Sequence, residues 1–332
     1  MPWTIGPVIG RGSTATVHLA TTITGTKSAV KSAIISPSNT LQKEQQILSQ
    51  LNSPYIISYK GYNITYNHNN TPMYHLHMEY APNGTIFDVI KNHGGSLDES
   101  LIRSYTWQIL MGLDYLHVKN YVHGDLKCQN VLVCENGVKI GDFGCAKLVE
   151  NRGNRVFGNV FSGTPVFMAP EVVRGEEQGF EADVWSVGCV VIEMATGSNP
   201  WGNVDDLISG LYRIGYSGDV PELPEWFSAE GKDFLRCCLR REVGERWKVK
   251  ELLQHPFVVG VEGFEKNSPT SVLDKDFWGC LEVAESSPET TRNVEVSGES
   301  PVDRMIKLVE DGSLGLPNWG NEEDWVMVRL LV

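Results

Sequence analysis

Along the 332-residue chain the rhythm of apolar and polar residues changes at about residue 80. Before that point short apolar runs alternate with polar positions. Ile5, Val8 and Ile9 lead into Gly10-Arg11-Gly12-Ser13-Thr14-Ala15-Thr16-Val17 and then His18, Leu19 and Ala20, which predicts a strand, a glycine turn and a second strand. Ala29-Val30-Lys31 predicts a further strand that closes on a cation. Leu41, Ile47, Leu48 and Leu51 have helical spacing, with Glu44 on the edge of their stripe. Strands are expected over 56–62 and 74–79, around a polar loop at 63–71. Pro82-Asn83-Gly84 is a turn signal and places a hinge between two lobes. Beyond it the pattern is helical. Ser96 to Glu99 resemble an N-cap, and Ile102, Tyr105, Ile109, Leu113 and Leu116 predict a helix over 102–117. The apolar run 183–194 predicts a buried helix; Asp183 at its start is either an N-cap or an anchor for the loop around His123. Shorter amphipathic helices are expected over 207–214, 230–238 and 249–255, and Pro256-Phe257-Val258 closes the compact part.

Composition changes that picture mainly after residue 260. Of a net charge of −13, residues 261–332 carry −9, from 15 Asp/Glu against 6 Lys/Arg. Ser, Glu, Pro, Thr and Asn dominate 267–302, which predicts a disordered linker. The acidic and aromatic stretch 317–332 either docks on a partner or packs on the parent domain. The acidic balance argues against nucleic acid or an anionic membrane as the main partner. The seven cysteines are scattered without repeated spacing, which points to reduced thiols and a cytoplasmic or nuclear location. No signal peptide and no membrane-spanning run is expected.

The chemistry concentrates in one loop, where Asp125, Lys127 and Asn130 lie within six residues between apolar flanks. A second carboxylate, Asp142, follows beside Phe143 and Gly144. Two carboxylates, an amide and a lysine suit a magnesium-bound phosphoryl group. Gly10 and Gly12 let a backbone approach phosphates, although a lone Gly-x-Gly also serves ordinary hairpins. A dinucleotide fold would place a helix directly after these glycines; here the strand continues, and the residue about 20 further on is Lys31. Lys31 is either solvated at its strand end or a phosphate ligand oriented by Glu44.

These residues together resemble a eukaryotic protein Ser/Thr kinase over residues 3–258. The resemblance rests on Gly10, Gly12, Ala15 and Val17; Ala29-Val30-Lys31; Glu44; His123-Gly124-Asp125-Leu126-Lys127 with Asn130; Asp142-Phe143-Gly144; Ala169-Pro170-Glu171; Asp183; and Arg246. The stretch from Gly163 to Val172 is similar to plant MEKK-like mitogen-activated protein kinase kinase kinases, whereas Val166-Phe167 departs from the kinases one step below them. The resemblance implies an α+β, bilobal kinase fold, with a small β-rich lobe at about 3–80, a larger helical lobe at about 83–258, and the acidic tail 259–332 outside it. It implies ATP and magnesium as cofactors and a downstream mitogen-activated protein kinase kinase as protein substrate, with a regulatory protein engaging the tail. Ile9, Gly10, Arg11, Gly12, Ser13, Thr14, Ala15, Thr16 and Val17 would cover the nucleotide. Lys31 would bind its α- and β-phosphates, held by Glu44. Met78 would back the adenine pocket, Glu79 and Ala81 would offer the hinge carbonyl and amide, and Val17, Ala29 and Leu132 would sandwich the ring. Asn130 and Asp142 would hold magnesium. Asp125 would orient the substrate hydroxyl and take its proton, and Lys127 would neutralise the γ-phosphoryl. Arg246 would pair with Glu171, and Thr164 would contact Asp125 and Lys127.

Three positions depart from the family pattern. Ala15 replaces a glycine, Gln129 stands where basic-directed kinases carry a glutamate, and Gly124 stands where regulated kinases carry an arginine that pairs with an activation-loop phosphate. Only Lys147 remains to supply a cation there. Activity is therefore expected to depend weakly on phosphorylation of that loop. The reading from a different class is a scaffold acting by binding alone; the presence of Lys31, Asp125 and Asp142 weighs against it.

Overall fold

The computed structural model describes residues 3–12, 15–35, 40–149, 162–202 and 206–260. The tail segments expected at 261–332, most of the Asn/Gly/Arg-rich stretch after Leu148, and Ser13 and Thr14 of the glycine turn lie outside them. The small lobe is one antiparallel sheet built from β1 (Trp3–Arg11), β2 (Thr16–Thr22), β3 (Lys27–Ile34), β4 (Tyr59–Tyr66) and β5 (Pro72–Met78), in the order β1-β2-β3-β5-β4. Helix α1 (Thr40–Leu48) packs on one face of it through Leu41 and Leu48.

Lys31 is not at a strand end, as its apolar run predicts. It is the fifth of eight residues in β3, because the small residues Ser32 and Ala33 extend the pairing with β5 to Ile34. Strand alternation then sets Lys31 on the α1 face and Val30 on the opposite one. The strand expected over 56–62 is also displaced. Ile56 and Ile57 are buried in the linker, and β4 runs instead through the polar residues assigned to a loop, leaving a turn at 67–71. As an edge strand with Tyr62, Ile64 and Tyr66 all exposed, β4 has no clean alternation to betray it.

The large lobe begins with α2 (Ile86–Asn92), which the apolar pattern does not single out. Its sequence signal is a capping box, in which Thr85 Oγ1 accepts from Asp88 N and Asp88 accepts from Thr85 N. Helix α3 (Glu99–Val118) starts at an Asp98 cap, as expected. Then come β6 (Tyr121–Val122), the hairpin β7 (Val131–Cys134) and β8 (Gly137–Ile140), and β9 (Lys147–Leu148), which pairs with β6. Helices α4 (Pro170–Val173), α5 (Phe180–Thr196), α6 (Leu207–Tyr216), α7 (Ala229–Cys238) and α8 (Val249–Leu252) complete it. Helix α8 stops short of the expected 249–255; His255 instead uses Nδ1 to accept from Phe257 N at 3.1 Å, in a turn. Helix α5 is the core of the lobe, with Ala182 to Ala195 all buried.

The lobes are stitched together well away from the Pro82 turn. Ile57 N donates to Ile140 O at 3.0 Å and Ile140 N to Tyr55 O at 2.9 Å. Glu79, just after β5, holds Lys139 of β8 at 2.7 Å. On the far side, Gly112 of α3 lies so close that an added Cβ would meet Ile140 Cδ1 at 2.8 Å and Tyr55 O at 3.1 Å.

Candidate active site

The small lobe contributes Lys31. Its Nζ lies 2.8 Å from Glu44 Oε2 and 3.1 Å from Asp142 Oδ1. Burial acts to neutralise the ammonium, but the two carboxylates outweigh it and hold the pKa well above its usual value. Glu44, 2 % exposed, is pushed upward by burial and by Asp142, against the pull of Lys31. The lysine is thus a fixed cation at the meeting of three elements, and the Glu44 pairing left open by the sequence is present.

Asp142 adopts a left-handed backbone, φ +54°, an arrangement that costs a non-glycine residue energy and recurs at functional sites. Its side chain accepts from Gly144 N at 3.2 Å as well as from Lys31. The loop with Asp125 is joined to it through backbone: Gly141 N donates to Asn130 O at 2.8 Å, and His123 Nε2 to Gly141 O at 3.0 Å. Asn130, buried, spends both amide hydrogens on Asp125, at 2.7 Å to the carbonyl and 3.1 Å to Oδ2. The amide oxygen is therefore what Asn130 has left to offer a cation. Thr164 Oγ1 donates to Asp125 Oδ1 at 2.7 Å, so both oxygens of this buried carboxylate are held. Lys127 precedes a single 3-10 turn over Cys128–Asn130.

Asp183 resolves its two alternatives in favour of the anchor. The N-cap of α5 is Gly179, and Asp183 lies inside the helix, 1 % exposed. Its carboxylate accepts from His123 N at 2.9 Å, Gly124 N at 3.0 Å and His117 Nε2 at 2.9 Å. Despite burial, which acts against the charge, these partners hold its pKa below the usual carboxylate value. Arg246 and Glu171 form the expected pair, at 2.8 and 3.0 Å, with both side chains buried.

Three contacts were not visible in the sequence. Glu193 of α5 sits beneath the Asp125 loop, accepting from Cys128 N at 3.4 Å, and burial raises its pKa to about 7. A charged residue inside an otherwise apolar run was its one signal. Gln178 receives Lys147 Nζ at 3.1 Å, and no sequence feature marks it. Gly124 has φ +76°, and an added Cβ would meet Cys145 O at 3.0 Å and Gln178 Nε2 at 3.1 Å.

The remaining nucleotide-site positions come from both lobes. Ala29 pairs with Met78 across β3 and β5, Val17 pairs with Lys31, and Ala81 and Leu132 pack against the core. In the glycine hairpin Gly12 N donates to Ala15 O at 2.9 Å, and Ile9, Arg11 and Thr16 belong to its strands. Neither Gly10 nor Gly12 has a positive φ, and an added Cβ would meet nothing closer than 3.6 Å. The hairpin itself therefore gives no reason for glycine there; bareness suits a ligand approaching from outside. Hard oxygens from Asp142 and Asn130 beside a fixed ammonium match a magnesium-bound polyphosphate. A different cluster, Asp233, Cys237 and His255, brings its donor atoms within 4.8 Å of one another. It does not suit a metal, because the Phe257 bond to Nδ1 puts the imidazole proton on Nε2, the atom a metal would need.

Among the described residues no helix is long and apolar enough to cross a membrane. A model of the protein kinase domain matches residues 3–258. The chain is 46 % identical to mitogen-activated protein kinase kinase kinase 18 of Arabidopsis thaliana over 99 % of both chains. It is 50 % identical to mitogen-activated protein kinase kinase kinase 17 of the same plant, over 85 % of this chain and 78 % of that one. It is 34 % identical to mitogen-activated protein kinase kinase kinase A of Dictyostelium discoideum, over 82 % of this chain and 30 % of that one.

Proposed function

The chain belongs to the protein kinase family, and on that footing we propose that it transfers the γ-phosphoryl of magnesium-ATP to Ser or Thr of a mitogen-activated protein kinase kinase. The observation that carries this reading is the Glu44–Lys31–Asp142 triad, a charge arrangement that a scaffold acting by binding alone has no use for. Bound magnesium-ATP supplies the electrophilic phosphorus and a leaving group whose charge the metal offsets. Lys31 binds the α- and β-phosphates, and Glu44 fixes its direction. Asn130 and Asp142 hold the metal through oxygen. Asp125 receives the substrate hydroxyl and takes its proton, its carboxylate already oriented by Thr164 and Asn130. Lys127 offsets charge that grows on the transferred group. Residues 9–17 cover the nucleotide, and Met78, Glu79, Ala81, Val17, Ala29 and Leu132 frame its base.

The names of the similar plant proteins support a place at the top of a three-kinase cascade, with a kinase as the protein substrate. No disulfide joins the described cysteines, which suits a reducing compartment such as cytoplasm or nucleus. A regulatory protein would engage the acidic tail. The test is phosphoryl transfer from magnesium-ATP to a panel of catalytically dead mitogen-activated protein kinase kinases, compared with Asp125→Asn. Removal of the base is expected to lower transfer by about 10²–10⁴-fold. Equal incorporation by both forms would show that the signal does not come from this site.

A further inference from the structure

Just before Gly179, the N-cap of α5, the side chain of Gln178 reaches back to the segment that follows Asp142. Its carbonyl accepts from Lys147 Nζ at 3.1 Å. A lysine has only donors, so the amide oxygen must be the atom that faces it. The amide nitrogen then stands over Gly124, 3.1 Å from where a Cβ at that position would be. Gln178 thus fills space that Gly124 leaves open beside Asp125. Gly124, Asp125, Thr164, Gln178 and Asp183 share the lining of one cavity of about 10 Å³, roughly the room that one water needs.

Lys147 depends on this bond. The side chain is half-buried, and among the described residues its ammonium donates only to Gln178. Burial lowers its pKa, and Cys145, not a carboxylate, is what acts the other way. An ammonium drawn partly out of water is costly to leave without an acceptor.

The strand that carries Lys147 is short. β9 has two residues, and they pair with the two of β6, Tyr121 with Leu148 and Val122 with Lys147. So short a ladder is marginal by itself in water. Much depends on its register, because β6 runs directly into His123 and Asp125, while β9 begins five residues after Asp142. On the other side, α5 presents Asp183 to His123 N and Gly124 N. The contacts close into a ring: β9 to β6, β6 to the Asp125 loop, the loop to Asp183, and α5 back to β9 through Gln178 and Lys147. Backbone or a buried carboxylate makes every link but the last.

We propose that Gln178 is a positioning residue for phosphoryl transfer: through Lys147 it holds β9 on β6 and so keeps Asp142 and Asp125 in register. The clamp forms from two side chains of the unmodified chain, so it needs no phosphate. Its effect on rate rests on the transfer reaction proposed above, whereas the clamp itself belongs to the fold.

The test compares the native chain with Gln178→Leu, which keeps the bulk and removes the acceptor, and with Gln178→Glu, which keeps an acceptor. Amide hydrogen exchange of the full chain, without nucleotide or substrate, reads the clamp. Gln178→Leu should speed exchange over 121–126 and 145–149 by about tenfold, the effect of losing a hydrogen bond to a charged group. Residues 229–238 of α7 should exchange as in the native chain, and Gln178→Glu should leave all three segments unchanged. Lys147→Met should match Gln178→Leu, and the double variant should be no worse than either, since both remove one bond. Phosphatase treatment of the native chain should change none of these rates. Phosphoryl transfer to the catalytically dead kinases then reads the positioning. Gln178→Leu should lower kcat by about tenfold or more with KM for ATP within about twofold, and Gln178→Glu should keep the native kcat. Native exchange in Gln178→Leu, equal loosening by Gln178→Glu, additive losses in the double variant, or loosening by phosphatase each overturns the clamp. A loosened ring with native kcat overturns its role in positioning. A native chain that transfers nothing to any member of the panel sinks the reaction instead, and exchange still decides the clamp.

Discussion

Gly124 shows how tightly the backbone beside Asp125 constrains a single residue. With φ +76° and the Cys145 carbonyl 3.0 Å from where its Cβ would stand, the position resists any side chain, and the neighbouring Lys147 already has a neutral partner in Gln178. Gly124→Arg is therefore expected to lower stability by about 1–2 kcal/mol without making activity depend on phosphate, because the left-handed backbone penalises the new Cβ. Ser162→Ala in the native background should keep most of its activity. Thermal unfolding and phosphoryl transfer on the two variants check both statements; an abolished Ser162→Ala would show that a loop phosphate is needed after all. Glu193 makes a different prediction. Its pKa rises from 4.5 to about 7 in the fold, so between those values the folded chain keeps a proton that the unfolded chain has released. Stability must then fall as pH rises through that window and level off above it. Glu193→Gln, which cannot ionise, should lose this slope and gain up to about 3 kcal/mol over the native chain by pH 8. Urea denaturation at pH 5 and pH 8 measures it, and parallel curves would contradict it.

At the scale of elements, the Asp125 loop has little regular structure of its own and is held from below by α5. Asp183→Asn keeps the size but offers one acceptor, and an amide, to three donors. We expect a loss of about 2–4 kcal/mol, and a fall in kcat with KM for ATP nearly unchanged, since Lys31 is not disturbed. Unchanged kcat would separate the anchor from catalysis. The same elements show what could be read without coordinates. The long helices were legible because one buried stripe fixes their period. The Lys31–Glu44 pair was one of two alternatives left open by a cation closing an apolar run and a carboxylate on the edge of a helical stripe, and the Glu171–Arg246 pair was expected only through the resemblance to the kinases. Strand β4 was not legible, since an edge strand wetted on both faces carries no period, and α2 was announced only by its cap. Glu79–Lys139 and Lys147–Gln178 were beyond reach for another reason: each joins surface-type residues from distant segments that only the tertiary fold brings together.

Across the whole molecule, the Glu171–Arg246 pair ties α4 to the segment after α7, with the guanidinium also bonded to Arg240 O and Glu181 O. Arg246→Met should cost about 3–5 kcal/mol by leaving Glu171 charged in the core, whereas Glu171→Leu combined with Arg246→Met should recover much of that loss. Denaturant midpoints of the single and double variants decide it; equal losses would mean that packing, not stranded charge, sets the cost. The stitching of the lobes at Ile140 bears on motion. Because Tyr55 and Ile57 share backbone bonds with β8, and α3 lies flush against both, the linker after α1 moves with the large lobe. Any rotation of the sheet relative to the large lobe must then be taken up on both sides of that linker, and not at the Pro82 turn alone.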